Sequence, residues 1–491
     1  MDVETGRTGP IPHLGFFDSL CIVVGTVVGI GIFGNPQSAY LELGSIGLTL
    51  VLWVFGGILT IAGAFCYAEL GTAMPESGGE HNYLMRAFGP YAAYAFDWSQ
   101  SLLSWPLSNA AVATIASSYI AKLILMDRSL TPDQQPAPAT WITRLISVII
   151  IVSLTLVNCV SSRFVAKVQR FLTILKFAAL LLVAGIGVYY LATNSPGNFK
   201  EPFKDSSTSV KSLGAGLTAI LFSYGGFNNL SLMLGEMKQV ERKLPLVLIT
   251  SLSLVVLIYL TANVTYFAAL PLETIRSTHV IGLNVGYRAM GTAGSIVLSI
   301  LIAICAFGTV NALTFGNGAL IAAFAKDGII FPTLLAGAHP TRGTPIYALC
   351  VNAAFSLALV FAGNLDFLVN MYAFSSYFFF ALTITGLLVM RFTHRDMRRP
   401  FRVWWPVAVL FLATALFIVA FPFVNSNGFS DILPFIVAMV FMAVPIPVVW
   451  FNLRRQSAAA RRAAAVAETE QEEKKRANED VQKRASEDVK A

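Results

Sequence analysis

Apolar runs of about 20 residues return along the whole chain, and a run of that length is what an α-helix needs to cross a hydrocarbon core of ~30 Å. About twelve can be counted, with approximate limits 15–35, 44–69, 91–121, 142–160, 165–192, 214–235, 245–270, 289–322, 345–362, 365–390, 404–424 and 432–452. They are too long and unbroken for porin strands, which alternate every second residue over about ten positions. Only 12% of the residues are charged and the mean hydropathy is +0.68, against about 25% charged in an ordinary soluble domain. The sequence predicts an all-α membrane protein, a bundle of about twelve transmembrane helices.

The net charge of +7 does not mark a nucleic-acid binder, because the basic residues are dealt out loop by loop instead of forming one stripe. One set of loops holds Arg163, Lys167 and Arg170, then Lys238, Arg242 and Lys243, then Arg391 to Arg402, then Arg454 and Arg455; the alternate loops hold fewer. The positive-inside rule then puts both termini in the cytoplasm. No cleavable leader is visible, since the first apolar run lacks a basic start and leads into another span. The five cysteines (Cys21, Cys66, Cys159, Cys305, Cys350) fall in or beside spans, without metal-ligand spacing, and read as small core residues. The five histidines (His13, His81, His279, His339, His394) sit in tails or loops, and no paired carboxylates face each other within spans, so an intramembrane enzyme is disfavoured and no cofactor or metal is implied.

Two glycine clusters interrupt otherwise apolar helices. The first span reads Val27-Val28-Gly29-Ile30-Gly31-Ile32-Phe33, and the sixth reads Phe222-Ser223-Tyr224-Gly225-Gly226-Phe227-Asn228. They lie at similar depths five spans apart, as expected of two structural repeats of opposite topology. The division is then a tail over 1–14, a first repeat over 15–192 (spans one to five), a second over 214–390 (spans six to ten), two further spans over 404–452, and a charged tail over 453–491 with no apolar stripe. Glycine permits an unwound backbone and close approach of a ligand, and unwinding within a membrane is tolerable only beside a cavity or partner helices. A broken helix offers N–H groups to a carboxylate and C=O groups to an ammonium. A zwitterion satisfies both; the competing use of such glycines is close helix packing.

These residues resemble the amino acid–polyamine–organocation superfamily, most closely its L-type amino acid transporter branch, over about 14–455. The first span carries Gly29-Ile30-Gly31-Ile32-Phe33 where the family has G-S-G-I-F. Tyr67-Ala68-Glu69-Leu70-Gly71, Pro75-Glu76-Ser77-Gly78-Gly79-Glu80, Tyr83 and Phe88-Gly89-Pro90 follow in the family's order. Asn158-Cys159 with Arg163 and Lys176, the sixth-span cluster with Glu236-Met237 and Leu244-Pro245-Leu246, and Cys305 to Asn311 with Ala325-Lys326-Asp327-Gly328 complete the set.

The resemblance implies a leucine-transporter-like fold with 5+5 inverted repeats and broken helices 1 and 6. It implies a substrate carboxylate held by the N–H groups of Gly29, Ile30 and Gly31, and an ammonium held by the carbonyls of Val27, Phe222 and Gly225. Phe222 is implied as the outer gate and Asn228 as a polar residue just past the sixth-span break. Lys176 is an ionisable group in mid-membrane, which costs ~2.5–3.5 kcal/mol on insertion scales and marks a polar pathway. In related transporters a lysine here stands where sodium-coupled members bind sodium, which implies sodium independence. Ile30 replaces the usual serine, Ala319 stands where relatives often have arginine, and the loop over 127–140 lacks the cysteine that animal L-type transporters use to bridge a glycoprotein partner. A disulfide-linked heavy chain is therefore not expected.

The central portions of the substrate-reading spans offer Phe222, Asn228, Ser376, Phe374 and Trp98, with no obvious buried carboxylate for a cationic side chain and no arginine for an acidic one. Neutral, large apolar L-amino acids are expected, carried by exchange or proton coupling across the plasma membrane. A polyamine or organic-cation carrier and a non-transporting amino acid sensor are the alternatives.

Overall fold

The computed structural model describes residues 13–127, 138–160, 162–193, 197–278, 280–339, 343–426, 428–458 and 471, and its regular elements are helical. The chain starts with α1 (Phe16–Val27), breaks over residues 28–30, and resumes as α2 (Gly31–Leu43), bent 47° from α1. The Ser45 side chain caps α3 (Ile46–Ala73) by accepting the N–H of Leu48. A short helix, α4 (Glu80–Phe88), then leads through Gly89, at φ 85°, into α5 (Pro90–Ser99). Together α5, a π-helical turn at Gln100–Ser104 and α6 (Trp105–Ile124) form one 35-residue span. The π turn has a local cause. Pro106 has no N–H for the carbonyl one turn back, and the helix widens just ahead of it.

The rest comprises α7 (Thr140–Val160), α8 (Ser162–Thr193), α9 (Val210–Ser223), α10 (Val240–Ala269), α11 (Leu272–Ser277), α12 (Ile281–Phe324), α13 (Ile346–Ala362), α14 (Leu365–Thr393), α15 (Trp405–Val424) and α16 (Phe429–Ala443). α9 ends at Ser223 and the chain continues, after an irregular stretch, as a 3-10 helix at Asn229–Glu236. α12 is interrupted at Met290 and Gly291, so its membrane-length portion begins just past the break, as the apolar run at 289–322 predicts.

Among the described residues nine helices are long and apolar enough to span a membrane, the α1–α2 pair makes a tenth, and α9 and α13 are apolar but shorter. The chain is an integral membrane protein. Its inner packing pairs α2 with α9, α3 with α10, α6 with α12, and α7 with α13. Two polar ties hold one end of the bundle. Leu14 forms a single parallel β-bridge with Met237, with Leu14 N–H donating to Glu236 O and Lys238 N–H to Leu14 O, each at 2.9 Å. The buried carboxylate of Glu69 on α3 accepts a two-pronged hydrogen bond from Arg391 on α14 and the N–H of Val403 at 2.8 Å.

The cysteines depart from expectation. Cys66 and Cys305 are buried, but Cys21 and Cys350 are exposed. The outer surface of a membrane bundle is as apolar as its core, so a small sulfur side chain suits either. The expected tail over 1–14 up to residue 12, the cysteine-free loop over 128–137, and the charged tail over 459–470 and 472–491 lie outside the described residues.

Candidate functional site

The two broken helices meet in the middle of the bundle, and the sequence makes the meeting close. A Cβ on Gly31 would fall 2.7 Å from Ser223 Oγ and 2.9 Å from its Cα, so only glycine allows α2 to lie this near the end of α9. Gly226 is needed for another reason: its φ of +93° is rarely adopted by residues with side chains. The first break requires no such conformation. Val28 at φ −70°, ψ 86° turns the chain, and a Cβ on Gly29 would meet nothing nearer than 3.7 Å.

Cross-links fix the two breaks to each other. The Tyr259 hydroxyl on α10 lies 2.8 Å from both Val27 O and Ser223 O, and its one proton is shared between them. Asn35 donates to Ser223 Oγ at 2.9 Å and to Ala219 O at 3.0 Å. Lys176 on α8, nearly fully buried, donates to Gly25 O near the end of α1 at 3.2 Å.

A cavity lies against these breaks. Val27, Gly29, Ile30, Gly31, Phe222, Gly225, Asn228 and Ser376 all line it, so the sequence-predicted substrate residues come together at one place. Lys176 stands outside that lining, at the base of α1. Gly29 N–H already donates to Val27 O at 2.7 Å, whereas the N–H groups of Ile30, Gly31 and Ile32, at the N-terminus of α2, have no acceptor among the described residues. Such a terminus favours an anion. Phe222 packs edge-on against Tyr372 of α14, ring centres 5.2 Å apart. A second cavity begins one helical turn further along, at Gly34, Ile115 and Ala219, so this aromatic pair lies between two chambers in series.

Several lining residues have no sequence signal of their own. The widened third span contributes Gln100, Trp105 and Ser108, and Thr309 and Leu313 come from α12. Only Pro106 hinted at the bulge; π turns are frequent at functional sites. Two expected side chains are elsewhere. Phe374 is fully buried against Phe423 and Phe435, and Trp98 stacks on Phe331 with ring planes 14° apart. Each has the right depth in the membrane but faces away from the cavity.

The floor is polar. Asn228 donates to Glu80 Oε1 at 2.5 Å, and the Tyr67 hydroxyl donates to the same oxygen at 3.0 Å. Next to Glu80 on α4, His81 faces the other way and meets Asp97 at 2.7 Å. Among the described residues no charged side chain lines the cavity. It thus offers open N–H groups, carbonyls at two helix ends and walls without a charged side chain.

Known proteins match this chain along most of its length. The model of a family described as amino acid permease matches residues 14–445. The chain is 30% identical to the b(0,+)-type amino acid transporter 1 of Mus musculus over 427 residues, covering 87% of this chain and 86% of that protein. It is also 30% identical to the cystine/glutamate transporter of Homo sapiens, covering 85% and 81%. The large neutral amino acids transporter small subunit 2 of Mus musculus is likewise 30% identical, covering 83% and 76%.

Proposed function

Because the chain belongs to the amino acid permease family, and so is an amino acid transporter rather than an enzyme, we propose that it carries neutral L-amino acids with large apolar side chains, independently of sodium. The observation that carries this reading is the uncharged lining of the cavity between the two breaks. A basic or acidic side chain there would lose its hydration without gaining an ion pair, which is costly. The polyamine reading lacks an acidic wall for the same reason.

In this reading the substrate carboxylate meets the N–H groups of Ile30 and Gly31 and the ammonium meets the carbonyls of Val27, Phe222 and Gly225. Gly29 N–H joins them by leaving Val27 O. Phe222 acts as the gate between the chambers. The Lys176 ammonium, bonded to Gly25 O, takes the place of a coupling sodium ion. The pairing of spans one to four with the span five further on supports two inverted repeats over 15–192 and 214–390, and α9 and α13 complete twelve crossings. Both termini are cytoplasmic, the membrane is the plasma membrane, and no disulfide-linked heavy chain is required. Transport proceeds by alternating access.

The test is uptake of radiolabelled leucine into proteoliposomes of the purified protein, empty or preloaded with leucine, with and without sodium and a pH gradient. Flux that needs internal leucine and ignores sodium identifies an exchanger; uptake into empty vesicles driven by external acid identifies proton symport. Sodium-dependent flux overturns the role given to Lys176. Ser376→Trp, which fills the cavity, abolishes flux in a correctly folded protein; undiminished flux overturns the placement of the site.

A further inference from the structure

Under the cavity floor lies a carboxyl group with no place in the substrate contacts above. Glu80 opens α4, outside the membrane-spanning helices, and its side chain is completely buried. Oε1 accepts from Asn228 and Tyr67, while Oε2 has no partner among the described residues. Among the described residues no Lys, Arg or His forms an ion pair with it. Asn228 lines the cavity and Glu80 does not.

An amide has two unlike sides, an NH2 that donates and a carbonyl that accepts, and an ionised carboxylate can only accept. Asn228 must therefore turn its NH2 toward Glu80. Its Oδ1 is engaged by no donor among the described residues, and Asn228 lines the cavity. We infer that Glu80 is a positioning residue for the substrate: it locks the Asn228 amide with its carbonyl toward the cavity, so that the floor offers an acceptor to the N–H donors of the bound amino acid. This rests on the cavity being the amino acid site and deepens that reading.

The lock is sensitive to protons. The groups facing Glu80 are Tyr67 from α3, Tyr83 from its own helix, Tyr372 from α14 and Asn228, all uncharged near neutrality. Burial holds the Glu80 carboxyl above its ordinary value, against the lowering effect of its own backbone N–H, Asn228 and Tyr67. A proton arriving on Oε2, the free oxygen, leaves the Oε1 contacts in place. It does turn a charge-assisted hydrogen bond into a neutral one about half as strong, and the amide is then free to reorient. The lock is firm above the Glu80 pKa and loosens as pH falls through it.

The experiment measures leucine KM and kcat for exchange in proteoliposomes between about pH 5 and 8, for wild type, Glu80→Gln, Asn228→Ala and the double variant. Wild-type KM rises roughly two- to fivefold toward acid, the size of half a hydrogen bond, with kcat changing less. Glu80→Gln, which mimics the protonated carboxyl, holds KM at the acid value at every pH. In the Asn228→Ala background Glu80→Gln changes KM no further, because the two residues act as one unit. The inference is overturned if Glu80→Gln keeps the wild-type pH profile, or raises KM by the same factor with and without Asn228. An unchanged leucine KM in Asn228→Ala removes the cavity floor from the substrate site, a separate failure that takes the inference with it.

Discussion

Gly31 and Ser223 approach so closely that a single methyl group does not fit between them: the Cβ of an alanine at 31 would lie 2.7 Å from the serine oxygen and 2.9 Å from its Cα. The Cα is backbone, so this obstacle cannot simply swing aside as a side chain would. Gly31→Ala is expected to destabilise the protein by about 1–3 kcal/mol, the usual size of overpacking, and to abolish leucine exchange. Gly29→Ala meets nothing closer than 3.7 Å. It is expected to fold like wild type and to raise leucine KM by crowding the cavity, as thermal unfolding in detergent and exchange assays will measure.

The pair Glu69–Arg391 ties α3 to α14 where both side chains are nearly sealed from solvent. Removing one partner leaves the other charge buried. Arg391→Leu is expected to lose about 3–5 kcal/mol of stability, whereas the double change with Glu69→Leu loses less because the fully buried carboxylate is removed with its partner. Arg399 Nε stays 3.5 Å from Glu69 and offsets part of the single-variant loss. Unfolding midpoints of the two variants in the same detergent check the order; a double variant as damaged as the single one contradicts it.

His81 gives stability a dependence on pH. Burial is the largest influence on its imidazole and lowers the pKa, but the hydrogen bond and charge of Asp97, with the charge of Asp327, outweigh it and leave the pKa raised. A raised folded-state value means that the contribution is full below the unfolded pKa of ~6.5 and is lost as pH rises through the folded one. The thermal midpoint is therefore expected to fall on moving from about pH 6 to pH 8. His81→Gln flattens that part of the profile, and an unaltered slope refutes the assignment.

The spans were legible because the membrane sets their length: the run at 142–160 is α7 at Thr140–Val160, and that at 404–424 is α15 at Trp405–Val424. The breaks were legible through their glycines. What a chain position cannot give is the direction a side chain faces around its helix. Ser376 and Phe374 are two residues apart on α14, yet one lines the cavity and the other packs on α15 and α16. Tyr259 carries no signal in the sequence, because its partners, Val27 and Ser223, are brought to it only by the fold. Glu80 sat in a recognised motif, but its partner Asn228 is 148 positions away.

The small bridge between Leu14 and Met237 has a mechanical meaning. It fastens the start of α1 to the end of the 3-10 helix Asn229–Glu236, which are the same-side halves of the two interrupted spans. Two hinges joined at their free ends behave as one linkage with a single degree of freedom. In the proposed transport cycle α1, which ends on Val27, and the 3-10 helix just past Asn228 are then expected to move as one body rather than in turn.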